Sequence, residues 1–215
     1  MWAARGGYGL SRLMPRIQWD TLAPVPFIGF SDATSFLNGL ASRQRPAIHG
    51  PVLHALDGYH DEESRRAIRE VLAGDAVRFE GRTVLDGAAA GPLCGGNLCI
   101  LASLCGTAYQ LDARGKIVLL EDLGEPPYKL DRLLVQCRDA GVFDGATAFV
   151  LGDFLDARPP ADADWTLDDV FLDVLGPLGV PILADLPIGH GRRNLAVPLG
   201  TPARLESGVL TVEPR

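Results

Sequence analysis

The sequence predicts an α/β fold, and three observations point to it. Apolar runs of strand length recur at residues 26–28, 116–120, 147–151 and 180–184, too short to be buried helices. Between them lie stretches with helical periodicity or helix caps, at 32–40, 62–72, 131–140 and 166–175. Chemically active residues then stand at the ends of these runs: Ser31, Glu121 and His190. Open α/β sheets place their ligand crevice at the carboxyl ends of the strands, which is where such residues belong.

Taken in order, residues 1–48 read as strand, glycine loop, short helix, strand, tight turn and helix. This is the remnant of an N-terminal α/β domain of the Rossmann or flavodoxin type. Gly29-Phe30-Ser31-Asp32-Ala33-Thr34 follows Pro26-Phe27-Ile28 and opens the next helix, so Ser31 stands on a strand-to-helix turn. Residues 62–72 form an amphipathic helix with Ala67, Ile68, Val71 and Leu72 on its apolar face. Residues 78–85 read as a strand pair or crossing segment, and Ala88-Ala89-Ala90-Gly91-Pro92 has the composition of a linker. The predicted units are 1–87, a linker at 88–94, and 95–215. In the second unit, residues 97–104 are helical, the run 116–120 is a strand ending on Glu121-Asp122, and 131–140 is a helix with Gly141 as its C-cap. Thr166 and Asp169 form an acidic capping box ahead of another helix. Residues 203–206 and 209–212 alternate around Ser207-Gly208, a β-hairpin that gives this second α/β domain a β-rich closure.

Composition narrows the function. The net charge is −7 and no basic tract occurs, which speaks against nucleic acid as a partner. No apolar stretch reaches membrane-spanning length, and Met1 is not followed by a signal-peptide pattern. Cys94, Cys99, Cys105 and Cys137 lack metal-type pairing and read as free thiols. The expectation is a cytoplasmic protein that contacts neither membrane nor nucleic acid.

Ser31, Glu121 and His190 together suit nucleophilic catalysis. A neutral hydroxyl is a weak nucleophile until an imidazole removes its proton, and a carboxylate keeps that imidazole in the right tautomer. Ser31 is the candidate nucleophile, His190 the general base and then acid, and Glu121 the orienter, with Glu125 as the competing carboxylate. Asp32 is also a common helix N-cap, so local capping is the alternative reading of the turn. The Asp32 amide, next to the nucleophile at a helix start, is the first candidate oxyanion donor. Ala33 occupies the place where the usual elbow pattern has a second glycine, so the turn must tolerate a methyl group. Arg5-Gly6-Gly7-Tyr8-Gly9 lacks the lysine of a P-loop and the spacing of a dinucleotide fingerprint. His49 is expected in a turn and His60, between Tyr59 and Asp61, at the surface. No two of His49, His54 and His60 have helical metal-ligand spacing, so neither metal nor cofactor is expected.

These motifs resemble the LD-carboxypeptidase family, the muramoyltetrapeptide carboxypeptidases and the related microcin C immunity peptidases. The likeness is carried by Arg5-Gly6-Gly7-Tyr8-Gly9 with Arg12 and Leu13, Gly29-Phe30-Ser31-Asp32, His49-Gly50-Pro51 and Gly95-Gly96-Asn97-Leu98. It continues through Glu121-Asp122-Leu123-Gly124-Glu125, Pro127-Tyr128, Asp131-Arg132, Gly189-His190-Gly191, Asn194 and Pro198-Leu199-Gly200. The resemblance implies a serine peptidase with a Ser31–Glu121–His190 triad and a second oxyanion donor at Gly7. It implies a small peptide substrate, murein tetrapeptide, cut at the L,D bond to its terminal D-alanine in peptidoglycan recycling. Arg5, Tyr8, Asn97 and Arg132 lie in matching motifs and are candidate substrate contacts. Arg192 and Arg193 also stand near enough to read a carboxylate, and family members often form homodimers. The family's Arg-Gly-Gly loop follows a segment of two strands and their helices, whereas Met1-Trp2-Ala3-Ala4 reads as the tail of the strand just before the loop. A chain lacking the N-terminal part is therefore expected. Two alternatives stand beside the main reading: an immunity peptidase acting on aminoacyl-nucleotide analogues, and a truncated, inactive binding or dimerisation fragment.

Overall fold

In the computed structural model, which describes residues 1–214, two sheets divide the strands between them. The chain runs α1 (Leu10–Leu13), β1 (Phe27–Gly29), α2 (Thr34–Ala41), β2 (Ala47–His49), α3 (Leu53–Leu56), α4 (Glu62–Ala73), β3 (Val77–Glu80), β4 (Arg82–Leu85) and β5 (Ala89–Asn97). It continues through α5 (Leu98–Ser103), β6 (Ile117–Leu123), α6 (Pro127–Asp139), β7 (Ala148–Leu155), α7 (Leu167–Leu175), β8 (Ile182–Ala184), β9 (Val197–Leu199), β10 (Pro202–Glu206) and β11 (Val209–Val212). Among the described residues, no helix is long and apolar enough to cross a membrane.

The smaller sheet has the order β1-β2-β9, with β1 and β2 parallel and β9 antiparallel to β2. The larger has the order β3-β11-β10-β5-β6-β7-β8-β4, and its central strands β5 to β8 are parallel. Its two edge strands, β3 and β4, are consecutive in sequence and separated only by Gly81, so the sheet curls until its ends meet. A Cβ at Gly81 would fall 2.5 Å from the Ala184 carbonyl oxygen, so only glycine fits at this join.

Strand β6 explains why the apolar runs read so clearly. Ile117 to Leu120 are fully buried, with Ile117 and Leu119 in one core and Val118 and Leu120 in another. A parallel strand covered on both faces needs apolar side chains at every position. The mixed α/β architecture and the C-terminal hairpin agree with the sequence reading, and Ser207 and Gly208 take the left-handed conformations of a tight hairpin turn. The acidic capping box of Thr166 and Asp169 also forms.

Three sequence expectations are corrected. Residues 88–94 are not a linker, because β5 runs unbroken from Ala89 to Asn97. Its small residues mimic linker composition for a packing reason: a Cβ at Gly91 would lie 2.3 Å from the Gly115 carbonyl oxygen. Helix α6 begins at Pro127 rather than Asp131, since proline is suited to the first helical turn. Leu72 is 51% exposed; in the last turn of α4 it overhangs a cleft lined by Pro26, Pro46 and Ile48 instead of entering the core.

The joint between the two sheets is a side-chain clamp on backbone. Asn38 of α2 donates through Nδ2 to the Gly95 carbonyl at 2.8 Å and accepts the Gly95 amide on Oδ1 at 2.9 Å. Gly95 has φ 106°, and a Cβ there would lie 2.1 Å from the Leu119 carbonyl oxygen. Gly95→Ala should therefore lower stability by about 2–3 kcal/mol, read as a lower urea midpoint with an unchanged slope.

Candidate active site

Ser31 follows β1 directly and begins a 3-10 turn, Ser31–Ala33, that leads into α2. Its φ is 59°, the left-handed conformation that costs a non-glycine residue about 1–2 kcal/mol and marks strained strand-to-helix elbows. Gly29 accommodates the methyl group of Ala33, since a Cβ at position 29 would lie 3.0 Å from the Ala33 Cβ. Asp32 is buried and accepts the Leu10 amide at 3.1 Å, so its side chain anchors the glycine loop to the turn instead of capping its own helix.

Glu121 and His190 meet across a long stretch of chain. His190 Nδ1 donates to Glu121 Oε2 at 2.7 Å, and the glutamate side chain is fully buried. Burial raises the Glu121 carboxyl above its ordinary range, against the opposing pull of the His190 hydrogen bond. Burial also acts to lower the His190 ring, but the Glu121 hydrogen bond and the charges of Glu121, Asp122 and Asp153 outweigh it and hold the ring above 6.5. The pair thus keeps a proton on Nδ1 and leaves Nε2 to exchange one. The Phe30 ring, one residue before Ser31, lies 4.7 Å from the His190 ring. Among the described residues the Ser31 hydroxyl makes no hydrogen bond, so its side chain is not engaged by the rest of the fold.

The competing carboxylate is accounted for, because Glu125 Oε2 pairs with Lys129 Nζ at 2.6 Å. Asn97 is buried: it caps α5 through the Ile100 amide at 3.1 Å and donates to Asp122 at 3.0 Å. Its side chain is spent on the end of β6 and does not present a free amide to substrate. Arg5, Gly7 and Tyr8 lie in an exposed loop, Tyr8 at 91% exposure, with open space around Gly6 and Gly7. Arg132 is exposed and stacks over Tyr128. Arg193 is committed to Asp61 and Glu63, which leaves Arg5, Arg132 and Arg192 for a carboxylate.

Two histidines depart from expectation. His49 ends β2 instead of lying in a turn, and it is fully buried with neither ring nitrogen hydrogen-bonded. His60 is not at the surface but 3% exposed, with Nδ1 donating to the Arg192 carbonyl at 3.3 Å. Flanking polar residues suggested exposure, but the His190 loop folds over this segment and covers it. Two further residues that hold that loop from other elements escaped sequence reasoning. Tyr59 donates its hydroxyl to the His190 carbonyl at 2.8 Å, and Asp153 accepts the Gly191 amide at 2.9 Å. The strand-end logic that singled out Glu121 also finds Asp153, two residues beyond the apolar run 147–151; nothing local singles out Tyr59.

A strained serine turn preceded by Phe30, whose ring packs on a carboxylate-held imidazole in an α/β frame, is compatible with a serine hydrolase. Comparison with known proteins narrows the class. The LD-carboxypeptidase N-terminal domain matches residues 1–50 and the LD-carboxypeptidase C-terminal domain residues 90–205. The murein tetrapeptide carboxypeptidase of Pseudomonas aeruginosa is 36% identical over 229 residues, covering 98% of this chain and 73% of its own. The crystal structure of muramoyltetrapeptide carboxypeptidase from Oxalobacter formigenes superposes with a TM-score of 0.89 at 28% identity, over 99% of this chain and 78% of its own. The microcin immunity protein MccF in complex with glutamyl sulfamoyl guanosine shares the fold, with a TM-score of 0.85 at 20% identity, over 100% of this chain and 75% of that one. The chain belongs to the LD-carboxypeptidase family, a family of serine peptidases.

Buried His49, with no hydrogen-bond partner among the described residues, contributes an acid-sensitive element to stability. Burial and the nearby His190 lower its pKa to about 3, whereas the unfolded chain takes up this proton near 6.5. Between those values the unfolded state binds more protons, so stability falls as the pH drops from about 6.5 toward 3, by up to about 1.4 kcal/mol per pH unit from this group. His60, also held low mainly by burial, acts in the same direction. The raised Glu121, Asp122, Asp153 and His190 act in the opposite direction, so the contribution of His49 is read by difference: the melting temperature of His49→Leu relative to wild type should rise as the pH falls below about 6.5.

Proposed function

We propose that this protein is a serine carboxypeptidase that releases the terminal D-alanine of murein tetrapeptide, acting in the cytoplasm during peptidoglycan recycling. The observation that carries the reading is the 2.7 Å hydrogen bond from His190 to a fully buried Glu121, with the ring of Phe30, the residue before the strained Ser31, packed on that histidine. In this mechanism His190 Nε2 removes the Ser31 proton as Oγ attacks the carbonyl of the L,D bond. The Asp32 amide, at the start of the turn, receives the oxyanion, with Gly7 as the second donor. The imidazolium then protonates the leaving amine, free D-alanine departs, and water hydrolyses the acyl-enzyme to release the tripeptide. Arg5, Arg132 or Arg192 binds the terminal carboxylate through a forked pair of hydrogen bonds.

Mass spectrometry of murein tetrapeptide incubated with the 215-residue chain tests this reading. Tripeptide and D-alanine should form with wild type and not with Ser31→Ala. Glu121→Gln, which places the wrong partner on Nδ1, should lose about ten-thousandfold in kcat. Full turnover by Ser31→Ala would overturn the mechanism. Selective cleavage of an aminoacyl sulfamoyl nucleoside, the ligand type seen with MccF, would move the substrate to that class while leaving the residue roles in place.

A further inference from the structure

The glycines on either side of His190 are shaped by two carboxylates. A Cβ at Gly189 would lie 2.9 Å from Glu121 Oε2 and 3.2 Å from the Asp153 Cβ, and one at Gly191 only 2.4 Å from Asp153 Oδ2. The Gly-His-Gly segment is thus the negative image of Glu121 on β6 and Asp153 on β7. Backbone contacts lock the same junction: the Asp153 amide donates to the Ile188 carbonyl at 2.8 Å, and a Cβ at Gly152 would lie 2.1 Å from that oxygen. Asp153 is partly buried. Among the described residues it forms no ion pair with arginine or lysine, and the charge it faces is that of His190.

We propose that Asp153 is a second positioning carboxylate of this site. It holds the Gly191 amide and, across that peptide, stabilises the imidazolium that His190 becomes when it takes a proton. Glu121 fixes the ring, and Asp153 fixes the backbone that carries it. The groups facing the ring are Glu121 and Asp122 from β6, Asp153 from β7, His49 from the end of β2, and His60 from the segment ahead of α4. The carboxylates favour the protonated ring, and the two neutral histidines add no counter-charge. The inference rests on the proposed role of His190 as base.

The test is a pair of substitutions with a readout independent of substrate. Asp153→Asn keeps an acceptor for the Gly191 amide and removes the charge; Asp153→Ala removes both. In isotope-labelled protein, the NMR titration of His190, assigned with His190→Gln, should move down by about half a pH unit or more in Asp153→Asn. The acid limb of kcat/KM should move the same way, with KM within about twofold of wild type. Asp153→Ala should lose about tenfold or more in kcat beyond Asp153→Asn. An unmoved titration in a folded Asp153→Asn protein overturns the proposal, even if stability drops, since a merely structural aspartate would do that. If Ser31→Ala retains activity, the peptidase reading falls, yet the NMR titration still decides whether Asp153 acts on His190.

Discussion

Everything in the site depends on the seam between α2 and β5. Ser31 belongs to the small sheet, while Glu121 belongs to the large one and His190 to the loop beyond its strand β8. Asn38 clasps the Gly95 peptide by both its polar groups, and the Asn97 amide donates to Thr34 Oγ1 at 3.1 Å. Asn97 in turn stands in register with Glu121. The seam is close because it contains no side chain on the β5 side: a Cβ at Gly96 would lie 2.8 Å from Thr34 Oγ1. Two adjacent glycines therefore let α2, the helix after the Ser31 turn, close on the strand beside Glu121.

The same economy of side chains governs the electrostatics. Glu121, Asp122 and Asp153 crowd the carboxyl ends of β6 and β7, and burial raises the proton affinity of all three. Such a cluster is costly to bury unless its charge is met by hydrogen bonds or a cation. Backbone amides of Cys99, Leu123 and Gly191 supply part of that compensation. The imidazolium of His190 supplies the remainder once it forms. In the proposed mechanism, an anionic surround of this kind favours proton uptake by His190 as the serine hydroxyl attacks, when positive charge would develop on the ring.

The fold was largely legible because its central strands are buried on both faces, so 116–120 and 147–151 read as unbroken apolar runs. The elbow was legible for a local reason, since a serine between an apolar run and a helix has few other geometries. Segments whose composition answers to distant packing were not legible. Residues 88–92 looked like a linker from their small side chains, of which Gly91 is required because the Gly115 carbonyl lies too close for a Cβ. His60 looked exposed because its neighbours are polar, while the loop that covers it lies more than a hundred residues away.

By itself the sequence determined the α/β class, the order of chemically active residues at strand ends, and the motifs that place the chain in its family. Those features are encoded by local periodicity and short-range turn chemistry. Only the tertiary structure decided that Glu121 rather than Glu125 meets the imidazole, that Asn97 turns inward, and that Asp153 flanks the histidine loop. Glu121 and His190 are 69 residues apart. Their meeting is set by which backbones can approach at glycine contacts, and that is a property of packed surfaces that no local pattern carries.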